Sequence, residues 1–229
     1  MKPRRMSDVA RAVDGLFLGT DVEVTSIAIH SDDVVPGWQY GAGTHIDRHV
    51  TWWPMAAAWF TYLARCQHLL QAGRFHADVC YFYGEGATKY APGRAHMRPA
   101  LPAGYNADVV NADVLQARLS VENGRLAIPE GPSYRVLVLP GTPVMSPPVL
   151  RRIEELIRAG ATVVGPRPAR SHGLGGYPKC DADLRAIADR IWGAAPAAHG
   201  VRRIGKGRIM WGRPLGEICA ALDLAPDFE

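Results

Sequence analysis

The most regular pattern of hydrophobic and polar positions lies between residues 134 and 166. Residues 136–139 form a continuous apolar run of strand-forming type, which is typical of a strand buried on both faces. Residues 147–159 place apolar side chains at helical spacing, after Ser146 as an N-cap and before a terminating glycine. A second apolar run, 161–165, follows at once. The pattern predicts a right-handed βαβ unit.

Strand and helix patterns alternate over the whole of residues 75–229, which predicts an α/β domain with three layers and a mainly parallel sheet. Before the central unit we expect a strand at 77–83, a helix at 108–119 capped by Asn106 or Asp108, and a hairpin turn at Asn123-Gly124. After it we expect a helix at 181–191 capped by Asp181 and a polar connection at 194–206. A strand at 207–212 and a helix from Pro214 to about 222 complete the domain.

Residues 1–74 contain fewer predicted elements of secondary structure: one strand, one long loop and one helix. The helix opens at Thr51-Trp52-Trp53-Pro54 and ends at Gly73, and we expect Trp59 on its apolar stripe to be a core residue. These elements are too few to bury a core of their own. The sequence therefore predicts two domains, 1–74 and 75–229.

Composition and charge narrow the class of protein. The chain of 229 residues is 48% hydrophobic and has a net charge of +4, but its arginines are dispersed, whereas nucleic-acid binding favours a clustered basic surface. Four cysteines without a CxxC motif indicate buried thiols in a reducing compartment. No apolar run reaches the ~20 residues of a membrane span. We expect a cytoplasmic protein without nucleic-acid or membrane partners.

Histidine and carboxylate side chains are concentrated in one loop. His45, Asp47 and His49 are two residues apart, so in an extended segment they would face the same way. Two histidines and a carboxylate suit zinc or iron, whereas calcium would prefer the carboxylates, with Asp32 and Asp33 as further ligands. The alternative is that these are loop residues making caps and hydrogen bonds.

Other residues are candidates for contact with a sugar or another small molecule. Trp52 and Trp53 precede the helix and could line a pocket, since aromatic faces stack on sugar rings. Glu85 follows a strand, where α/β sheets place ligands, although a solvated turn is the competing interpretation. GxGxxG and P-loop motifs are absent, so we expect no nucleotide cofactor, and no Gly-x-Ser-x-Gly frame marks a nucleophile.

Several long segments resemble the large bacterial α-L-rhamnosidases of glycoside hydrolase family 106. The first is Gly43-Thr44-His45-Ile46-Asp47-Arg48-His49-Val50-Thr51-Trp52-Trp53-Pro54. The others are residues 62–67, 77–85, 111–115, 135–140 and 226–228; in the second of these the resemblance lies at both ends, 77–79 and 83–85. The resemblance extends from about residue 36 to the end of the chain.

The resemblance implies a (β/α)8 catalytic barrel followed by a β/α domain similar to the amidotransferase-like domain of some β-galactosidases. This chain would correspond to the last piece of the barrel, as a barrel remnant at 1–74, plus that flavodoxin-like domain. Family members invert configuration with two glutamates and a calcium ion. Before Glu85 the chain has only Glu23, which matches neither catalytic motif. The resemblance implies pocket roles for His45, Asp47, Arg48, Trp52, Trp53 and Glu85.

Three functions therefore stay open. The first is a truncated glycosidase-like protein that keeps part of a sugar pocket without the catalytic glutamates. The second is a stand-alone hydrolase of esters or lactones that uses His45, Asp47 and His49 with a divalent calcium or zinc ion. The third is a non-catalytic module that forms homo-oligomers through an exposed Trp52 and Trp53 face.

Overall fold

The computed structural model describes residues 4–5, 23–24, 51–86, 91–129 and 131–228. The chain divides into two compact units, Met1–Arg74 and Phe75–Glu229. In the first unit, β1 (Arg4–Arg5) pairs antiparallel with β2 (Glu23–Val24). A 3-10 turn, Trp53–Met55, leads into the helix α1 (Ala56–Gln71).

Helix α1 begins and ends close to the predicted positions, but its apolar stripe is not buried. Trp59 is 51% exposed and stacks on Tyr62 with the ring centroids 6.1 Å apart. Leu69 and Leu70 are more exposed still. The expectation that Trp59 is a core residue is wrong, because helical periodicity identifies an apolar face without showing that this chain covers it.

The second unit contains a six-stranded sheet with helices against both faces. Its strands are β3 (Val79–Phe82), β4 (Ala107–Val110), β8 (Val136–Val138), β9 (Thr162–Val164), β10 (Gly200–Ile204) and β11 (Gly207–Trp211). The helices are α2 (Ala112–Ala117), α3 (Pro147–Ala159), α4 (Cys180–Trp192) and α5 (Leu215–Ala221). The strand order is β10-β11-β9-β8-β3-β4, and only β10 runs antiparallel to its neighbour. The prediction of a mainly parallel α/β sheet is confirmed.

The alternation of side chains along the inner strands divides the core in two. On β8, Leu137 packs with α3 and α4, whereas Val136 and Val138 pack on the opposite face with α5. All three are fully buried. Because successive residues of a strand point to opposite faces, a short run of apolar residues fills both cores at once.

The predicted βαβ unit at the centre of the sheet is present. β8 and β9 pair in parallel, and α3 connects them. The Ser146 hydroxyl accepts a hydrogen bond from the Val149 N–H, and Gly160 ends the helix with a φ of 130°. Local chemistry therefore sets both ends of this helix.

A small three-stranded sheet lies beside the main one. It consists of β5 (Ser120–Glu122), β6 (Arg125–Ala127) and β7 (Ser133–Tyr134). Asn123 and Gly124 both have positive φ, as a type I′ turn requires, which confirms the predicted hairpin. Tyr134 is fully buried and donates to the Asp108 carboxylate over 2.7 Å.

The predicted helix over 108–119 is wrong in its first half. Residues 107–110 form β4, an outer strand paired with β3, and the helix begins only at Ala112 with Asn111 as its N-cap. Asp108 caps no helix, because its carboxylate accepts from Tyr134 and from the Val109 N–H. The prediction fails because the pattern is ambiguous: apolar residues at 109, 110, 114 and 115 are compatible with one continuous helix and equally with a strand followed by a helix.

Two details near the C-terminus also differ from expectation. The N-cap of α4 is Lys179 and not Asp181, whose carboxylate accepts from the Ser171 N–H over 2.6 Å. The stretch expected to be a polar connection contains β10, the exposed antiparallel edge of the sheet. Its polar residues are those expected of an edge strand. No helix in the part of the chain described here is long and apolar enough to cross a bilayer.

A carboxylate at the interface of α3 and α4 joins the two helices. Glu154 is only 7% exposed, and it accepts from Arg190 over 2.7 and 3.1 Å and from Arg158 over 2.8 and 3.2 Å. The hydrogen bonds from Arg190, then those from Arg158, lower the pKa of Glu154. The ionised carboxylate therefore stabilises the fold above its ordinary pKa of 4.5, and this contribution is lost as the pH falls through the lower folded value.

Replacing Glu154 by Gln should lower the free energy of unfolding by about 1–3 kcal/mol at pH 7, because charge-assisted hydrogen bonds to two arginines are lost. The difference from the native protein should be smaller at pH 3, because pH 3 lies below the ordinary pKa of 4.5 and the stabilisation that comes from the lowered pKa decreases there. Urea unfolding at both pH values measures this. The control is Glu155→Gln, on the same helix but 62% exposed, which should change stability by less than about 0.5 kcal/mol. An equal loss at pH 3 and pH 7 would contradict the electrostatic explanation.

Candidate functional site

The strand order reverses next to β3. From β3 the chain moves to β4 on one side, and then returns to β8 on the other side. In open α/β sheets, ligands bind beyond the carboxyl ends of the strands at such a reversal. A cleft of about 250 Å³ lies there, and we call it the carboxyl-edge cleft. Its lining includes Tyr83, Pro92, His96, Arg98, Gly141 and Thr142.

One wall of the cleft is a loop held in place by its own guanidinium groups. Arg94 donates to the carbonyls of Tyr105 and Pro102 over 2.6 and 2.8 Å. Arg98 donates to the Met97 carbonyl over 2.7 Å. These bonds fix the position of Arg98 at the cleft, since a guanidinium that satisfies backbone carbonyls loses most of its rotational freedom.

Asp227 and Phe228 hold the far end of the same loop, just before β4. The Asp227 side chain is 6% exposed, accepts from the Asn106 N–H over 2.7 Å and lies 3.3 Å from His76 Nε2. The Phe228 N–H donates to the Gly104 carbonyl over 3.1 Å. The loop that borders the cleft is thus anchored to the end of the chain.

Glu85 lies near the cleft and has a structural partner. Its Oε2 accepts from the Ser146 N–H over 2.7 Å, at the start of α3. A carboxylate at a helix N-terminus is stabilised by the helix dipole and by the unpaired N–H groups there. Glu85 therefore ties the segment after β3 to the segment after β8. The solvated-turn interpretation misses this contact because Glu85 and Ser146 are 61 positions apart.

His172 also reaches this edge of the sheet. A Cβ added at Gly86 would lie 3.0 Å from His172 Nε2, so the imidazole packs against the turn that carries Glu85. The His172 N–H donates to the Met145 carbonyl over 3.2 Å. No spacing pattern in the sequence marks His172, since it approaches the turn at Gly86 only through the tertiary fold.

The two predicted aromatic pocket residues lie in the first unit. Trp52 and Trp53 are half-buried, and the Trp52 carbonyl accepts from the Met55 N–H over 2.9 Å at the 3-10 turn. The remaining predicted catalytic, metal and substrate residues lie outside the described residues: Asp32, Asp33, His45, Asp47, Arg48 and His49. Within the described ranges, no three histidine, cysteine or acidic side chains come together.

The cysteines of the second unit are suited to packing and not to nucleophilic chemistry. Cys80, Cys180 and Cys219 are buried free thiols, whereas Cys66 is partly exposed. Burial raises the pKa of Cys219 to about 11 and raises that of Cys80 further. These two thiols therefore stay protonated at neutral pH.

Comparison with known proteins identifies the class. Residues 7–229 match the sequence profile of glycoside hydrolase family 106, α-L-rhamnosidase. A protein of Formosa agariphila named "Putative beta-glucuronidase" is 37% identical over 163 residues. A rhamnosidase structure from Novosphingobium sp. PP1Y superposes with a TM-score of 0.67 and 32% identity. The chain belongs to glycoside hydrolase family 106, as the motifs in its sequence indicated.

The relatives are much longer than this chain. The match covers 70% of this chain but 14% of the Formosa protein. The superposition covers 80% of this chain and 17% of the Novosphingobium rhamnosidase.

Replacing Glu85 by Gln should lower the free energy of unfolding by about 1 kcal/mol, because the helix loses a charge-assisted hydrogen bond at its N-terminus. Chemical denaturation at pH 7 measures the change. Glu122→Gln, an exposed position on β5, serves as the control and should leave stability within about 0.5 kcal/mol. Equal stability of the Glu85→Gln and Glu122→Gln proteins would show that the contact with Ser146 contributes nothing.

Proposed function

We propose that residues 75–229 are a non-catalytic, sugar-contacting α/β domain of a family 106 glycosidase. The five parallel strands follow the order 2-1-3-4-5 when numbered along the chain, which supports a flavodoxin-like, amidotransferase-like domain. In this proposal the first unit corresponds to the end of a catalytic barrel, and the sugar occupies the carboxyl-edge cleft.

The lining of the carboxyl-edge cleft carries this proposal. An aromatic ring from Tyr83 next to polar groups from Arg98, His96 and Thr142 suits a pyranose, which offers an apolar face and a rim of hydroxyls. Among the described residues, the lining contains no acidic side chain, whereas inverting hydrolysis needs two carboxyl groups ~6.5–9.5 Å apart. The nearby carboxylate, Glu85, is engaged with the start of α3. These features favour contact with a sugar over cleavage of one.

The comparisons suggest which sugar to test. The family is described as α-L-rhamnosidase, and the superposed structure is a rhamnosidase. We therefore expect an α-L-rhamnoside to be preferred, with a glucuronide as the second choice because of the name of the Formosa relative.

Titration of the 15N-labelled chain with methyl α-L-rhamnoside should shift amide signals around residues 83, 98 and 142. Tyr83→Ala should weaken binding about 3–10-fold, because the stacking surface is lost. Tyr177→Ala removes a tyrosine that is 73% exposed on another loop and should leave the affinity unchanged. The chain should release no nitrophenol from p-nitrophenyl α-L-rhamnoside.

The two halves of the proposal fail separately. Turnover of the nitrophenyl rhamnoside would show that the domain is catalytic. Absent or non-saturable amide shifts, or equal effects of the two tyrosine replacements, would show that the cleft contacts no sugar. The metal-assisted ester or lactone hydrolase stays a hypothesis, since the residues it names lie outside those described.

The exposed stripe on α1 favours self-association as a second candidate function. Trp59, Tyr62, Leu69 and Leu70 on α1, together with Met55 just before it, are all between 51% and 82% exposed. Exposed apolar surface of this kind marks an interaction site, and a second copy of the chain presents the same surface.

Light scattering at increasing protein concentration should then show a dimer, and Trp59→Ser with Leu70→Ser should return the protein to a monomer, because the apolar area that drives association is removed. Leu174→Ser with Tyr177→Ser is the matched control and should leave the dimer intact, since these residues of the second unit are 78% and 73% exposed. A native protein that stays monomeric at all concentrations would exclude this role.

A further inference from the structure

A second and larger cavity lies at the opposite edge of the sheet, where the parallel strands begin. Its volume is about 470 Å³, which falls in the range of small-molecule sites. We call it the amino-edge cavity. Twelve described residues line it, and five of these are cationic: Arg125, Arg135, Arg203, Lys206 and Arg208. Among these twelve residues, none is acidic and none is aromatic.

Three tight turns build the walls of the amino-edge cavity. A Cβ added at Gly160, at the end of α3, would lie 3.8 Å from both the Gly124 Cα and the Lys206 Cβ. The tip of the β5–β6 hairpin, the end of the helix and the β10–β11 turn therefore meet here. A Cβ at Gly207 would overlap the carbonyl oxygens of Ile157 and Ala161, so the backbone is packed without spare room. The cavity is a fixed feature of the domain.

The positive charge in the cavity is compensated only in part. Arg125 pairs with Asp78 over 2.9 Å, and Arg208 Nε donates to the Thr162 hydroxyl over 3.2 Å. Within the described residues, no carboxylate lies at salt-bridge distance from Arg135, Arg203 or Lys206. The C-terminus of α3 adds only about half a negative charge. An excess of positive charge remains.

The register of the sheet places two of these cations face to face. Arg203 on β10 is directly opposite Arg208 on β11. Residues directly opposite in an antiparallel pair point to the same face, and like charges in that position destabilise the pair. The β10–β11 turn adds Lys206 beside them. An anion bound between these side chains would turn the repulsion into attraction.

We propose that the amino-edge cavity binds a sulfate or phosphate group carried on a sugar-sized molecule. Guanidinium groups bind the oxygens of such groups in bidentate fashion, and cations from three separate segments, the β5–β6 hairpin, the start of β8 and the β10–β11 hairpin, can reach several oxygens of one tetrahedral group. The volume leaves room for a body about the size of one pyranose. The site is independent of the carboxyl-edge cleft and does not rest on the function proposed for it.

Isothermal titration at low ionic strength tests this with glucose 6-sulfate, glucose 6-phosphate, inorganic sulfate, inorganic phosphate and uncharged glucose. Saturable binding of the sugar esters, weaker binding of the inorganic ions and none of glucose is the expected result. A preference between the two esters distinguishes sulfate from phosphate as the source of the oxyanion. Affinity should fall steeply with added salt, because the attraction is screened.

The variant Arg203→Gln with Lys206→Gln should weaken ester binding about 10-fold or more. Both side chains are exposed, so the fold should be kept. Arg151→Gln with Arg185→Gln removes the same charge from exposed helix positions and should leave binding within about twofold. Amide shifts of Gly124, Gly160 and Lys206 in the native protein provide a test that needs no variant.

Three outcomes would overturn the proposal. These are no saturable binding of any anion, equal weakening by the two double variants, and amide shifts that fall outside the three turns. Binding of long polyanions such as heparin without binding of the sugar esters would also overturn it, since this would indicate general charge attraction to the surface.

Discussion

The parallel pairing of β8 with a strand on each side is the constraint on which the rest of the domain depends. Val136, Leu137 and Val138 are buried completely, and all their neighbours are arranged so that water reaches neither face. Because no water can satisfy backbone groups in that position, the strands on both sides must supply the hydrogen bonds. Helices must then cover both faces, and the connections between strands have to pass over them.

This arrangement gives the two edges of the sheet different properties. The chain adds β4 on one side of β3 and then β8 on the other. At the carboxyl edge this leaves a space that is bordered by Tyr83, Arg98 and Thr142. At the amino edge, short turns close on one another and bring arginines together. One edge therefore offers an aromatic and polar surface, and the other offers concentrated positive charge. The fold keeps them separate by the length of its strands.

The sequence predicts those parts of this structure that follow from neighbours along the chain. The apolar runs on either side of α3, the Ser146 cap and the Asn123-Gly124 turn each carry their own signal, and all three are present. Residues 107–110 carry a pattern that satisfies two periods, so burial against β3 decides between them. The edge strand β10 has only Val201 and Ile204 as apolar residues, which is too few for a strand pattern to stand out. The contact of Glu85 with Ser146 could not be predicted, because the two residues are far apart in the sequence and meet only through the topology of the sheet. The pairing of Arg203 with Arg208 could not be predicted either, because it depends on the register of the β10–β11 hairpin.

The anchoring of Asp227 to the loop at residues 104–106 has a practical consequence for handling the protein. The Asp227 carboxylate is almost completely buried, and the Phe228 N–H donates a hydrogen bond to the Gly104 carbonyl. A purification tag or fluorescent fusion joined directly after residue 228 would lie next to residues 104–106, which lead into β4. A spacer of several small, polar residues would keep the added sequence away from these two hydrogen bonds, and immobilisation on a sensor surface is better done through another part of the chain.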